Sequence, residues 1–235
     1  MVADVEPGRT RRFEAVLFDI GGVVTESPFE AFGRFEQEQG LPEGFLRAVN
    51  SRNPQDNAWA RLERGEVDFD TFRSLFREET ASLGHPVDPA GLFELLDLAV
   101  RPLLLVTLDR LRGRYRLGAV TNTFAAGPTS GLPGTLAERF DVVVASTEVG
   151  LRKPDPRIYQ LACERLGVVP SECVFLDDLG VNLKPARAMG MATIKVGDPV
   201  AAVAELAAVL GEPGLLADLP AVTDDGARGG QRAQV

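Results

Sequence analysis

The chain is expected to fold as an α/β protein: a doubly wound sheet of parallel strands, with an all-helical cap domain inserted after the first strand. Three observations predict this. Short apolar runs bounded by turn residues alternate with amphipathic helical patterns over most of the sequence. The first such run is followed by roughly 75 residues without a strand signal, too many for a structureless loop inside a compact domain. Acids, a threonine and a lysine stand at or just past the predicted strand ends, where open α/β sheets gather their chemistry.

Taken in order, residues 1–12 carry Asp4, Glu6, Pro7 and Gly8 and read as a disordered arm. Residues 15–18 form the first strand, which runs into Asp19-Ile20-Gly21-Gly22. The cap is expected over 26–101, with helices at 29–39, 44–50, 57–64, 69–83 and 91–99, punctuated by Gly40, Pro42, Pro54, Gly65, Gly84 and Pro86. Phe29, Phe32, Phe35, Phe69, Phe72 and Phe76 recur at helical spacings and read as the core of this cap. Trp59 reads as core with them, and Arg61 and Arg64 as a solvated face.

The α/β body, 13–25 and 102–211, resumes with a helix at 103–112 and strands at 117–121, 142–145, 174–176 and 193–196. Helices at 136–139, 156–166, 182–189 and 200–210 supply the crossovers. The remaining residues, 212–235, with Gly226, Gly229 and Gly230, read as a disordered tail.

Composition narrows the function classes. A chain of 235 residues, 45% apolar and 25% charged, can bury a substantial core. Its formal charge of −9 and pI near 4.8 oppose nucleic-acid and anionic-membrane partners, which need clustered Lys and Arg. No stretch nears about 20 uninterrupted apolar residues, and the amino-terminal residues lack a signal peptide's apolar run, so a cytoplasmic protein is expected. Cys163 and Cys173 lack zinc spacing and read as buried thiols in a reducing compartment. His85, the one histidine, reads as a loop residue.

Four strand-end points combine into one candidate site. Asp19 can attack phosphorus to form an aspartyl-phosphate, while Ile20, Gly21 and Gly22 offer backbone N–H groups to phosphate oxygens. Thr121 and Asn122 carry a hydroxyl and an amide suited to the equatorial oxygens of a transferring phosphoryl group. Lys153 sits in Arg152-Lys153-Pro154-Asp155-Pro156, where two prolines fix the approach of an ammonium that offsets the repulsion between carboxylate and phosphate. Arg152 reads as structural or as a surface residue. Asp177 and Asp178 end an apolar strand as adjacent acids that repel unless a cation joins them, and with Asp19 they suit Mg2+. Asn182 reads as a brace for their loop or as a helix-start residue.

Phe18-Asp19-Ile20-Gly21-Gly22-Val23-Val24, Thr121-Asn122, Lys153-Pro154-Asp155-Pro156 and Phe175-Leu176-Asp177-Asp178 resemble the four ordered motifs of the haloacid dehalogenase-like (HAD) hydrolase superfamily. The match spans about 13–210, and the helical insertion resembles the cap of subfamily I on a Rossmann-like body. The stretch 150–159 is similar to the branch containing the amino-terminal phosphatase domain of soluble epoxide hydrolase and a related domain of an acyl-CoA dehydrogenase family member.

The resemblance implies a phosphatase of small phosphate monoesters, monomeric or homodimeric. It makes Asp19 the nucleophile, Thr121 and Lys153 the phosphate anchors, and Asp19, the Gly21 carbonyl, Asp177 and Asp178 the Mg2+ ligands. Gly21 departs from the pattern. Most phosphatases of the superfamily carry an aspartate there, which protonates the leaving oxygen and then activates water. That departure keeps two alternatives in view, a catalytically impaired binding or regulatory protein and a 2-haloacid dehalogenase. Dehalogenases of the superfamily do not need the metal acids that Asp177 and Asp178 supply.

Overall fold

The computed structural model describes residues 12–124 and 134–217; the expected arm, but for Arg12, and most of the expected tail lie outside them. The strands are β1 (Ala15–Phe18), β2 (Arg116–Thr121), β3 (Val142–Ala145), β4 (Cys173–Asp177) and β5 (Ala192–Lys195). They form one parallel sheet in the order β3-β2-β1-β4-β5. All four residues of β1 are fully buried, as a central strand covered on both faces requires. From β1 the chain adds β2 and β3 on one side and then β4 and β5 on the other, and this reversal of strand order puts the topological switch point at the carboxyl end of β1.

Alternation along β1 sends its side chains into two cores. Val16 and Phe18 join the cluster under α6 (Pro102–Leu111) and α11 (Pro199–Leu210), whereas Ala15 and Leu17 join the one under α9 (Pro156–Leu166) and α10 (Gly180–Ala188). Helix starts follow local chemistry: Asp155 and Asp198 accept backbone N–H bonds at the heads of α9 and α11, each with proline in its first turn.

Between β1 and α6 lie α1 (Pro28–Glu38), α2 (Phe45–Arg52), α3 (Ala58–Glu63), α4 (Phe69–Ala81) and α5 (Ala90–Glu94). They pack on an apolar cluster of their own that includes Phe32, Phe35, Trp59, Leu62, Phe72 and Phe76. The helix expected at 91–99 stops at Glu94. Residues beyond it are drawn into pairing where the insertion leaves and rejoins the body: Thr25 bridges Val100, Glu26 N–H donates to Ala99 O, and Arg101 N–H donates to Val24 O. The short helices α7 (Gly134–Ala137) and α8 (Ser146–Val149) flank β3; α7 begins two residues before the expected 136–139, and α8 follows β3 where no helix was expected.

The expected tail boundary at 212 is corrected. Residues Pro213–Leu216 form a 3-10 turn, Leu215 is fully buried in the core of α6 and α11, and Arg110 Nη1 donates to Leu215 O at 2.9 Å. One large apolar side chain gives this stretch a reason to stay packed. Among the described residues no helix is long and apolar enough to cross a membrane.

Candidate active site

The carboxyl end of β1 sets the site. Asp19 N–H donates to Leu176 O at 2.9 Å, which locks the residue beside the end of β4, and only 6% of Asp19 is exposed. The chain then turns tightly through Ile20–Val24. At Gly22 φ is 80°, and a Cβ there would stand 2.5 Å from Asp178 Oδ2, so the turn requires glycine twice over. At Gly21 φ is −65° and ψ 124°, open to any residue, and an added Cβ would meet only Pro28 at 3.7 Å.

Lys153, 2% exposed, points its ammonium between two carboxylates. Its Nζ lies 2.7 Å from Asp19 Oδ1 and 2.7 Å from Asp177 Oδ2. Asp19 Oδ1 also accepts Ile20 N–H at 2.7 Å, so one oxygen of this carboxylate is held by two donors. Burial pushes the Asp19 carboxyl well above its ordinary range, opposed by Lys153 and reinforced by Asp177 and Asp178. Burial also opposes the charge on Lys153, but the two aspartates outweigh it and raise the ammonium above its ordinary value.

Asp178 completes an acidic cluster in which one oxygen from each of Asp19, Asp177 and Asp178 lies within 4.8 Å of the others. Burial, then Asp177, pushes Asp178 up to about 6. Three carboxylates against one ammonium leave an excess of negative charge that a divalent cation with oxygen ligands fits. Asp177 is also engaged within the protein. Both oxygens of Asp177 are already committed, Oδ2 to Lys153 and both to Asn182 Nδ2, with Leu179 N–H on Oδ1. Asp177 therefore holds Lys153 and the loop as well as standing in the acidic cluster with Asp19 and Asp178. Asn182 braces Asp177, as expected.

Three of the groups expected to face a phosphate are engaged within the protein. The Ile20 N–H is taken by Asp19 and the Gly22 N–H by Glu26 O at 3.0 Å, which leaves Gly21, of the three, lining the cavity. The Asn122 amide was expected to reach the phosphoryl oxygens. Instead its Oδ1 accepts Lys153 N–H at 2.8 Å and its Nδ2 donates to Lys153 O at 3.2 Å, because the adjoining loop offers a donor and an acceptor at matching spacing. Thr121 ends β2 buried and lines the same cavity as Asp19 and Lys153.

That cavity, about 340 Å3, has Asp19, Gly21, Thr121, Lys153 and Asp178 on the sheet side. Phe29, Phe32, Trp59 and Glu63 from the insertion line its other side. Trp59 is 8% exposed and packs against Phe32, Phe72 and Phe93, so it is chiefly core. Arg61 and Arg64 pair with Asp56 and Glu66 near the surface, His85 sits in a loop against Phe45, and Cys163 and Cys173 are buried free thiols.

Glu63 was not singled out from the sequence. Its Oε1 accepts Trp59 Nε1–H at 3.2 Å, and its Oε2 accepts Arg152 Nε–H at 2.5 Å and Asn122 Nδ2 at 3.3 Å. Its backbone carbonyl accepts Ser146 Oγ at 2.5 Å. Burial raises its carboxyl above the ordinary value, against the pull of Arg152 and Trp59. The signal in the sequence was faint: an acid four residues after a core tryptophan, at the end of a short helix. Arg152 is structural, as expected, joining Glu63 and Pro54 O.

A family model described as haloacid dehalogenase-like hydrolase matches residues 13–190. The chain is 36% identical over 211 residues to acyl-CoA dehydrogenase family member 10 of Mus musculus, covering 86% of this chain and 20% of that protein. It is 33% identical over 217 residues to bifunctional epoxide hydrolase 2 of Sus scrofa, covering 84% of this chain and 39% of that one. The chain thus spans well under half the length of either relative. Phosphatases and a 2-haloacid dehalogenase are both among its more distant relatives. Among solved structures, a HAD family enzyme of Bacteroides thetaiotaomicron, in complex with magnesium and inorganic phosphate, shares the fold with a TM-score of 0.55 at 22% identity, over 79% of this chain and 96% of that one.

Proposed function

The chain belongs to the haloacid dehalogenase-like hydrolase family, and we propose that it hydrolyses small phosphate monoesters through an aspartyl-phosphate on Asp19. The observation that carries this reading is the buried bridge of Lys153 Nζ between Asp19 Oδ1 and Asp177 Oδ2, with Asp178 alongside. A bound Mg2+ supplies charge neutralisation for phosphate and carboxylate together. Asp19, Asp178 and the Gly21 carbonyl are the groups that would hold it.

With Oδ1 held by Lys153 and Ile20, the Oδ2 oxygen of Asp19 attacks phosphorus, and the bond from phosphorus to the ester oxygen breaks. The leaving oxygen takes a proton from water. Water then attacks the phosphorus of the aspartyl-phosphate and passes a proton to the hydroxide left by the first step, the bond from phosphorus to Oδ2 breaks, inorganic phosphate departs, and the Asp19 carboxylate returns. Lys153 stays protonated throughout, since both of its neighbours favour the charged form. Thr121 and Gly21 face the same cavity and orient the phosphoryl oxygens. The helical insertion acts as a cap, whose Phe29, Phe32 and Trp59 meet the leaving group.

Gly21 favours a second reading, a member that binds phosphorylated ligands without turning them over. An absent general acid or base lowers rates by about 10² to 10⁴, whereas positioning and charge neutralisation carry most of phosphoryl transfer. A dehalogenase has no use for the Asp177-Asp178 pair, so that alternative ranks below both. The test is a panel of phosphate esters, including an aryl phosphate, assayed with and without Mg2+ beside Asp19→Asn. Turnover that needs both Asp19 and Mg2+ supports the phosphatase. Turnover indifferent to either removes it, and tight phosphate binding with no turnover favours the binding protein.

A further inference from the structure

We infer that Glu63 is a positioning residue: from the helical insertion it holds the paired Asn122 and Lys153 in the arrangement that the reaction needs. The inference rests on the part given to Lys153 above. Asn122 is the hinge of the arrangement. Its amide clasps the Lys153 backbone on both sides, accepting from N–H at 2.8 Å and donating to the carbonyl at 3.2 Å. The second hydrogen of that amide group goes, among the described residues, to Glu63 Oε2 at 3.3 Å, and Glu63 comes from α3 of the insertion, not from the sheet.

Glu63 also takes Arg152, the residue immediately before Lys153, at 2.5 Å. Two consecutive residues of the lysine loop are therefore fixed by one carboxylate, Arg152 directly and Lys153 through Asn122. The insertion is held close enough for this at two further points. Ser146 Oγ donates to Glu63 O at 2.5 Å, and at Gly65, where φ is 67°, a Cβ would come within 3.0 Å of Thr147 O. Among the described residues the hydrogen-bond partners of the Glu63 side chain are donors, Trp59, Arg152 and Asn122, so it is built to accept and meets no acceptor there to receive a proton from it. It belongs to the geometry of the site and not to its proton transfers.

The variants are Glu63→Gln, which keeps the volume but turns one acceptor into a donor among donors, and Glu63→Asp. The aspartate keeps a charge for Arg152 but is too short to reach Asn122 as well, so it guards against a fold that fails with Gln. Both are compared with the wild type on an aryl phosphate and an alkyl phosphate with Mg2+, and by hydrogen exchange at the Lys153 amide. The expected result is a fall in kcat of about 10- to 100-fold with KM within a few-fold, equal for the two leaving groups. Exchange at the Lys153 amide should rise about tenfold or more.

A rise in KM with kcat and exchange unchanged overturns the inference, because Glu63 then only fastens the insertion. A kcat loss much larger for the alkyl ester overturns it in favour of a proton donor. If the wild type turns over no ester, the phosphatase reading fails by itself and the exchange measurement alone decides: unchanged protection at Lys153 overturns the inference, and lost protection upholds it.

Discussion

Lys153 Nζ stands 2.7 Å from Asp19 Oδ1, two buried and opposite charges joined across the switch point of the sheet. An isolated charge at either position would carry a large desolvation cost, and the pair exists because Asp177 supplies a second anion to the same ammonium. Folding thereby delivers a carboxylate already oriented by a cation, with its other oxygen left for chemistry.

Lys153→Met removes that cation and leaves two buried carboxylates facing one another. Stability should drop by about 3 to 5 kcal/mol at neutral pH, the usual effect of breaking a buried pair on one side. Hydrolysis of aryl phosphates should fall beyond detection. Urea denaturation read by circular dichroism checks the first, and a variant as stable as the wild type would show that the bridge is not formed in solution.

Adjacent glycines should answer substitution in opposite ways. Gly21→Asp enters a φ of −65° with only ordinary contact to Pro28, so it should fold normally and raise kcat by about 10² or more through restored acid catalysis. Gly22→Ala enters a φ of 80° and drives a Cβ onto Asp178, so it should lower both the melting temperature and the response to Mg2+. Steady-state kinetics and thermal melts of the two variants side by side decide the matter.

The Asp178 carboxyl, raised from 3.8 to about 6 by burial and by Asp177, makes the metal-free protein sensitive to pH. A carboxyl with a folded pKa above its unfolded one holds its proton more tightly in the fold. Its destabilising effect is thus fully present above about pH 6 and relieved as pH falls toward the ordinary carboxylate range. Mg2+ should raise the melting temperature at pH 8 and do so much less at pH 5, where protons compete for the same oxygens. Asp178→Asn should melt higher than the metal-free wild type at pH 8 and lose the Mg2+ response.

The carboxyl-terminal correction also has a stability consequence. Leu215 is fully buried, so Leu215→Ala should cost about 2 to 5 kcal/mol, and truncation after Gly211 at least as much. Chemical denaturation that moves by less than about 0.5 kcal/mol would return residues 212–217 to an unpacked tail.

The parts of the fold readable from the sequence are those whose cause is local. The run Ala15-Val16-Leu17-Phe18 is apolar throughout because both faces of β1 are covered, and Asp155-Pro156 marks the head of α9 by its own capping chemistry. Asp19 and Asp178 are legible because strand ends place them, and Lys153 because Pro154 and Pro156 mark the loop that leads into α9. What escaped depends on partners distant in sequence. The early end of α5 follows from Thr25 pairing with Val100, and the role of Asn122 follows from a loop that arrives 31 residues later. Glu63 meets Arg152 across a separation of 89 residues, which no local pattern encodes.

The most direct test of the phosphatase reading is to trap the enzyme during turnover. The protein is mixed with an aryl phosphate and Mg2+, quenched in acid within milliseconds, and digested for mass spectrometry of the peptide that contains Asp19. A phosphoryl group on Asp19, present in the wild type and absent from Asp19→Asn, is the expected result. Steady release of phosphate by the wild type with Asp19 never labelled, or by Asp19→Asn at an equal rate, would contradict it.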